Sequence, residues 1–457
     1  MSLVDKATLV SKLTTIVNTV YENGSYVVDD LLSTALSMSL LSEINIITVD
    51  SIDFLPNLKY YNSPNAMIYY VNNIDVFAVS SNLKWLTLDG RLLRQDSLYG
   101  KIWAWGGNSI GFLGDNTTTD KSSPIIVANG FTDWCQLSVG DNHNLGIRTN
   151  GTAWAWGGGA CGRLGDNTVV NKSSPVSVVG GFTDWCQVSA GLCHSLGVRQ
   201  NGTAWGWGLN ASGQLGDNTV ITRSSPVSVV GGFTDWCQAS AHDRQSVAVR
   251  TNGTVWTWGV NFYGRLGDNT TTSKSSPVSV VGDFMDWCQV STGLGFMLAV
   301  RQNGTAWAWG GNASGQLGDN TTVSKSSPVS VVGGFTDWCQ VSAGTNHGLA
   351  VRQDGTAWSW GLNVCGQLGI DATTNRSSPV SVAGGFTDWC QVSAGHSHSL
   401  AIRQNGTAWA WGLNTEGQLG NNSTTTISSP VSVIGGFTAW CKVSSGRCHS
   451  LGVISLC

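Results

Sequence analysis

The stretch "DWCQVSAGHSH", Asp388 to His398, puts a thiol, an imidazole, hydroxyls and a carboxylate within eleven residues. Cysteine with histidine can make a thiolate nucleophile and its base, or half of a zinc site, and serine with histidine is the pair of an acyl-transfer centre. The stretch recurs as "DWCQVSAGLCH" and "DWCQVSAGTNH". The histidine is His143, His194, His347, His398 and His449, but Gln245 and Phe296 take its place in two copies. A position that accepts Phe is not obligatory metal chemistry, so a hydrogen-bonded structural histidine is expected. Along one strand His and the following Ser point to opposite faces, which forbids a nucleophile–base pair within the strand.

The elements that position these residues follow from the repetition. Seven of the nine prolines, Pro124 to Pro430, stand 51 residues apart. The same step relates Trp134, Trp185, Trp236, Trp287, Trp338, Trp389 and Trp440, and seven W-x-W-G motifs. A period near 50 with four short strands per unit is the signature of a propeller. The unit reads as strand A "DWCQVSA", B "HSLAVRQ", C "TAWAWG" and D "SSPVSVV". The B–C link is "NG" or "DG", read as a hairpin turn with positive φ at both positions. Residues 100–457 begin with C and D and end with A and B, so two half-units are expected to complete one blade and close the ring.

The expected fold is therefore all-β: a seven-bladed β-propeller of 51-residue four-stranded repeats, closed by N- and C-terminal half-blades, over residues 100–457. A small α+β N-terminal domain precedes it over residues 1–99. There, Leu9, Leu13, Ile16, Val17 and Val20 have helical spacing, a second helix is placed at 29 or 30 to 41, and "AMIYYV", "DVFAVS" and "KWLTL" read as strands, with Asn72-Asn73 as a turn.

"HSLAVRQNGTAWAWGLNTEGQLG" resembles the regulator of chromosome condensation repeat family, in all seven units. The resemblance implies a seven-bladed propeller; members include exchange factors for small GTPases and secreted inhibitors of β-lactamases, so it implies no single activity. "YYVNNIDVFAVSSNLKWLTLDGRLLRQD" resembles segments preceding such repeats in phage virion proteins. The reading that follows is a non-enzymatic virion adhesion or structural protein, made and folded in the host cytoplasm, with residues 1–99 docking on other virion proteins and the propeller displaying a recognition face to a host surface or protein ligand. The alternative is a protein-binding propeller acting on a host or bacterial protein, of inhibitor or GTPase-regulator type. Residues 1–99 are equally open to being a small capping domain.

Composition excludes several classes. Charged residues are only 11% of the 457, with 58 Gly and 22 Trp. Residues 1–99 hold 6 Lys/Arg and 10 Asp/Glu, and the remainder balances 18 against 18, so no basic stripe offers itself to nucleic acid. No apolar run is long enough to span a membrane, and the first residues lack the pattern of a secretory signal. Cys135, Cys186, Cys237, Cys288, Cys339, Cys390 and Cys441 occupy one position of strand A. Alternation places them with Val and Ala, as buried thiols between blades, kept reduced. The paired Trp are expected as core fillers, "GQLGDN" lacks the lysine of a phosphate loop, its Asp (Asp217, Asp319) reads as an Asx turn, and "NGT" as turn chemistry. No cofactor, metal or catalytic constellation is expected.

Variation among the units is informative. B–C and D–A links are nearly constant, whereas A–B and C–D links vary, and strand alternation puts the variable links on one face of the ring. The largest departures are His242, Asp243, Arg244, Phe262, Tyr263, Leu294 and Phe296, taken as an exposed arc for binding.

Overall fold

In the computed structural model the chain divides into two units, Met1–Ser97 and Leu98–Cys457. The structure describes residues 100–455 and five short strands before them. These strands form one sheet: Ile47–Val49 runs parallel to Ile68–Val71, followed by antiparallel Val76–Ser81, Lys84–Thr87 and Leu92–Arg94. The three strands expected from sequence are among them. The helices expected at 9–20 and 29–41, and the turn at Asn72-Asn73, lie outside the described residues.

Residues 100–455 form seven four-stranded antiparallel blades. Blade I joins the chain's two ends: A is Trp440–Ser445, B His449–Ser455, C Gly100–Gly106 and D Lys121–Ile126. The junction pairs His449 with Gly106 through to Ser455 with Gly100, so the ring closes through the half-units. Blades II to VII follow, with A strands starting at Trp134, Trp185, Trp236, Trp287, Trp338 and Trp389.

The A strands lie innermost and are stitched to one another. In every blade a strand-A serine Oγ accepts the N–H of the residue 52 positions on, from Ser138 with Ala190 to Ser393 with Ser445, and Ser444 with Val139 completes the circle, at 2.9–3.2 Å. Glutamines form a second series, open at one junction. Gln187 accepts from Ala239 N–H and donates to the same residue's carbonyl, a clamp repeated at Gln238, Gln289, Gln340 and Gln391. The seventh glutamine position is Lys442, whose ammonium burial pushes to a lower pKa.

Three sequence expectations need correction. The strand-A cysteines are not buried: Cys186, Cys237, Cys288, Cys339 and Cys390 are exposed, and Cys135 and Cys441 half-buried. A β-bulge is the cause. Trp185 pairs with Arg199 but Gln187 with Val198, so Cys186 is the extra residue and Trp, Val and Ala share the buried face. Each Sγ turns to the carbonyl of strand B in its own blade, as Cys186 to Val198 at 3.3 Å.

The B–C link is also a different turn from the one expected. Gly202 has φ 71° and Asn201 is not in the left-handed region. Gly202 N–H bonds Arg199 O and Arg199 N–H bonds Thr203 O, the pattern of a type I turn closed by a left-handed glycine. A Cβ there would strike Thr234 O of the next D–A link, so this glycine is required twice over.

The paired Trp differ in depth. The second of each W-x-W pair and the strand-A Trp are almost fully buried (Trp309 0%, Trp338 2% exposed), whereas the first, such as Trp307, is half-buried against the Phe of the D–A link. Trp338→Ala is therefore expected to cost about 3–5 kcal/mol, and Trp307→Ala clearly less, measured by denaturant unfolding. Equal losses would contradict the difference in burial.

Candidate functional site

The His–Ser chemistry raised by the sequence does assemble, between blades rather than within one. His143 Nε2 lies 2.7 Å from Ser195 Oγ of the next blade, and His194–Ser246, His347–Ser399 and His398–Ser450 repeat the pair. Each serine donates its own proton to a C–D loop carbonyl, as Ser195 to Arg163 O, so the imidazole Nε2–H is the donor to Oγ. All members are buried with no exposed surface. With its proton engaged and no access for substrate, this hydroxyl is a structural lock and not a nucleophile. His449 closes the circle on Asn144 Oδ1 at 2.7 Å.

The two departures from histidine now have a physical cause. The position 52 residues beyond Gln245 is Met297, and that beyond Phe296 is Gly348, so both lack the hydroxyl. Gln245 bonds Gly293 O instead, at 2.8 Å, and Phe296 is fully buried. Phe296 is thereby removed from the exposed arc; the sequence comparison had paired each histidine with its own unit and missed the partner in the next.

Of the remaining arc, Arg244, Phe262 and Tyr263 are exposed, the two aromatics at 65% each, and His242, Asp243 and Leu294 are half-buried. Arg265, which sequence reasoning passed over, organises them. Its buried guanidinium donates to Phe262 O (Nε, 3.1 Å), to Asp243 Oδ2 (3.1 Å) and to Leu294 O (3.2 Å), tying three loops of blades IV and V together. Burial pulls its pKa down and the Asp243 carboxylate opposes that. The signal was present in the sequence: blades II and IV read "GRLG" where four others read "GQLG".

The loop held by Arg265 is strained. Tyr263 sits at φ 63°, ψ 15°, the left-handed region that a bulky side chain rarely occupies. The carbonyl at the Arg265 position, a Gln in the four "GQLG" loops, normally accepts the indole of the neighbouring blade, as Gln316 O accepts Trp360 Nε1 at 2.9 Å. In the two arginine-bearing loops this bond is absent, and Trp207 and Trp309 keep buried indole N–H groups without a partner. Each such orphan donor typically costs about 1–3 kcal/mol.

His242 adds a second local feature. Around the axis the A–B loops present glycines (Gly140, Gly293, Gly344, Gly395, Gly446) whose added Cβ would collide with the carbonyl of the next loop. Blade IV has His242 there instead, on a strand A extended by one pairing to Gln245, and its Nε2 comes within 4.0 Å of Asp141 Oδ1, two blades away. The same face carries exposed Val169, Val170, Val220 and Ile221 at C–D loop tips, legible in "NTVV" and "NTVI" against the usual Thr but not singled out above.

The opposite face is constant for structural reasons. Arg199 Nε bonds Asp184 at 2.7 Å and covers Phe182 at 4.1 Å, an arrangement repeated in six blades. Asp217 and Asp319 are Asx-turn residues, each accepting from the N–H and hydroxyl of the Thr two positions on. Among the described residues no group of three or more His, Cys, Asp or Glu could hold a metal ion, and no helix is long and apolar enough to cross a membrane.

Comparison with known proteins agrees with the fold. A profile of the RCC1-like domain matches residues 183–455, and profiles of the regulator of chromosome condensation (RCC1) repeat match 134–163 and 99–147. The ultraviolet-B receptor UVR8 of Arabidopsis thaliana is 29% identical over 332 residues, 70% of this chain and 74% of that protein. The E3 ubiquitin-protein ligase HERC2 of Homo sapiens is 28% identical over 313 residues, 66% of this chain but only 6% of the ligase. Among solved structures, human WBSCR16 superposes with a TM-score of 0.70 at 20% identity, covering 78% of this chain and 98% of that one. Prp20p of Saccharomyces cerevisiae gives 0.70 at 21% identity, covering 79% and 92%.

Two predictions follow from this geometry. Burial holds the imidazoles of His194, His347, His398 and His449 down to about 3, and that of His143 well below its ordinary value. Unfolded histidines titrate near 6.5, so between about pH 6.5 and 3 the unfolded chain binds protons that the ring refuses. Stability is expected to be level above about pH 6.5 and to fall on acidification below it, by about 1.4 kcal/mol per pH unit per histidine. His347→Gln should make the melting temperature less sensitive to pH in that window; an unchanged slope would remove the histidine locks as the cause. Separately, Tyr263→Gly is expected to raise stability by about 0.5–1 kcal/mol by relieving the left-handed backbone. A loss in chemical denaturation would show that the loop is not strained.

Proposed function

Because the chain belongs to the RCC1-like domain family, we propose that it is a protein-binding propeller whose partner seats on the A–B and C–D loop face over blades IV and V. The observation that carries this is the Phe262–Tyr263 pair, held outward on a strained backbone by buried Arg265 with exposed Arg244 on the neighbouring loop. Aromatics and arginine are the side chains that dominate interface energetics, and strain retained at an exposed loop is a mark of use. The relatives fit a binding role more readily than a common chemistry. They include a receptor and a ubiquitin ligase of which the matched part is a small fraction, and the solved Prp20p is described by its binding properties to Gsp1p and histones. The propeller itself is read as non-enzymatic, its His–Ser pairs being sealed.

A narrower form of this reading places the chain in a phage particle, docked through residues 1–99. It rests on the likeness of residues 69–96 to virion proteins; the relatives support only the wider form. Antibody labelling of particles in electron micrographs tests it.

Arg244→Ala with Tyr263→Ala is expected to leave melting unchanged and to weaken capture of the partner by about 2 kcal/mol or more per side chain. Thr183→Glu and Thr234→Glu, exposed on the constant face, should leave capture intact. Calorimetric titration of a partner captured by the immobilised chain provides the measurement. Capture lost in the threonine variants and kept in the arc variant would place the site on the other face.

A further inference from the structure

The junction of blades II and III carries the same arginine-held loop as that of IV and V, with Cys161 in place of Tyr263 and Cys193 in place of Gly295. Arg163 Nε donates to Ala160 O at 2.8 Å, and its Nη1 donates to Leu192 O at 2.9 Å. Ala160 precedes Cys161 and Leu192 precedes Cys193. One planar guanidinium thus holds the peptide units adjoining both cysteines, one on the C–D loop of blade II and the other on the A–B loop of blade III. Both are half-buried thiols, and Cys161 has φ 61°, ψ 11°, as Tyr263 does.

The ring contains its own measure of how near these positions come. At the junction of blades VII and I the equivalent residues are Glu416 and Cys448. Their side chains hydrogen-bond, and both would meet a Cβ added to Gly107. At the junction of II and III, Leu209 stands at the Gly107 position, and its N–H bonds Cys193 O at 2.9 Å. Burial raises the pKa of Cys193, Arg163 opposes this, and Cys161 and Asp141 add to it.

We propose that Cys161 and Cys193 are a dithiol that a low-molecular-weight disulfide closes into a bridge between blades II and III. A thiolate of one cysteine attacks a sulfur of glutathione disulfide and releases one glutathione thiolate. The second cysteine's thiolate then attacks the protein sulfur of that mixed disulfide and releases the other. Two protein thiols are oxidised, the glutathione disulfide is reduced to two thiols, and the two protons given up by the cysteines end on the released glutathione. The bridge fixes covalently the two loops that Arg163 holds by hydrogen bonds, beside the exposed Val169 and Val170 tip. The strand-A cysteines, one per blade and turned to their own strand B, are the internal comparison and take glutathione as single adducts.

The test uses the full-length native chain, incubated with glutathione disulfide at about pH 8, where a raised thiol pKa still allows exchange. It is then alkylated, digested without reduction and analysed by mass spectrometry. The expected product is a Cys161–Cys193 cross-linked peptide, lighter by two hydrogen atoms than the reduced pair. It should be absent in Cys161→Ser and in Cys193→Ser, and should form several-fold more slowly in Arg163→Gln, which loosens the two loops. Hydrogen exchange over residues 159–171 should slow in the bridged form, a readout that no glutathione adduct reproduces. Glutathione on Cys161 and Cys193 without a bridge at any disulfide concentration would overturn the proposal. So would a bridge that forms only in denaturant.

Discussion

Every blade of this ring is a thin sheet whose two faces are covered only by its neighbours, and the contact that sets one blade against the next is a serine oxygen accepting a backbone N–H 52 residues on. The rest of the architecture hangs on that register. Once strand A of one blade is fixed to strand A of the next, each clamping glutamine also meets the residue 52 positions beyond it, the histidine reaches the serine of the next blade, and the indoles close over the interface. None of these bonds is strong alone, since a typical intramolecular hydrogen bond contributes about 1 kcal/mol net. They act together because the ring is closed: Ser444 to Val139 and His449 to Asn144 carry the lock across the junction of the chain's two ends, where Lys442 replaces the clamp.

What the sequence made legible follows from this periodicity. A step repeated seven times yields strand order, blade number and closure, because each unit independently votes for the same assignment. What it hid is of two kinds. A one-residue bulge reverses the phase of everything before it, so alternation counted from Val188 placed Cys186 in the core when it lies outside. Bonds between units are invisible to a comparison that aligns each residue with its equivalents, because the partner sits in the next unit. Reading across units instead exposes paired changes. Gln245 goes with Met297 and Phe296 with Gly348, and in blade I Ala439 and Ile454 stand together where six blades keep an Asp–Arg pair. Losing both partners is nearly neutral where losing one would strand a buried group.

The same logic separates drift from use on the variable face. Constancy of the opposite face is explained by its Arg–Asp–Phe packing and its glycine turns, so the contrast between faces does not by itself indicate binding. Paired replacement also explains Phe296. The Arg163 and Arg265 loops are different in kind. There the change from Gln to Arg brings a left-handed Cys or Tyr and leaves a buried indole without its carbonyl, an unfavourable combination that no second substitution relieves. A loop under weak constraint would shed it, since glutamine at that position restores the regular turn in four blades. Both loops spend their guanidinium on bridging to the A–B loop of the next blade, and both lift a reactive or aromatic side chain at that bridge. The uncompensated strain therefore sets the two junctions, II–III and IV–V, apart from the rest of the repeat.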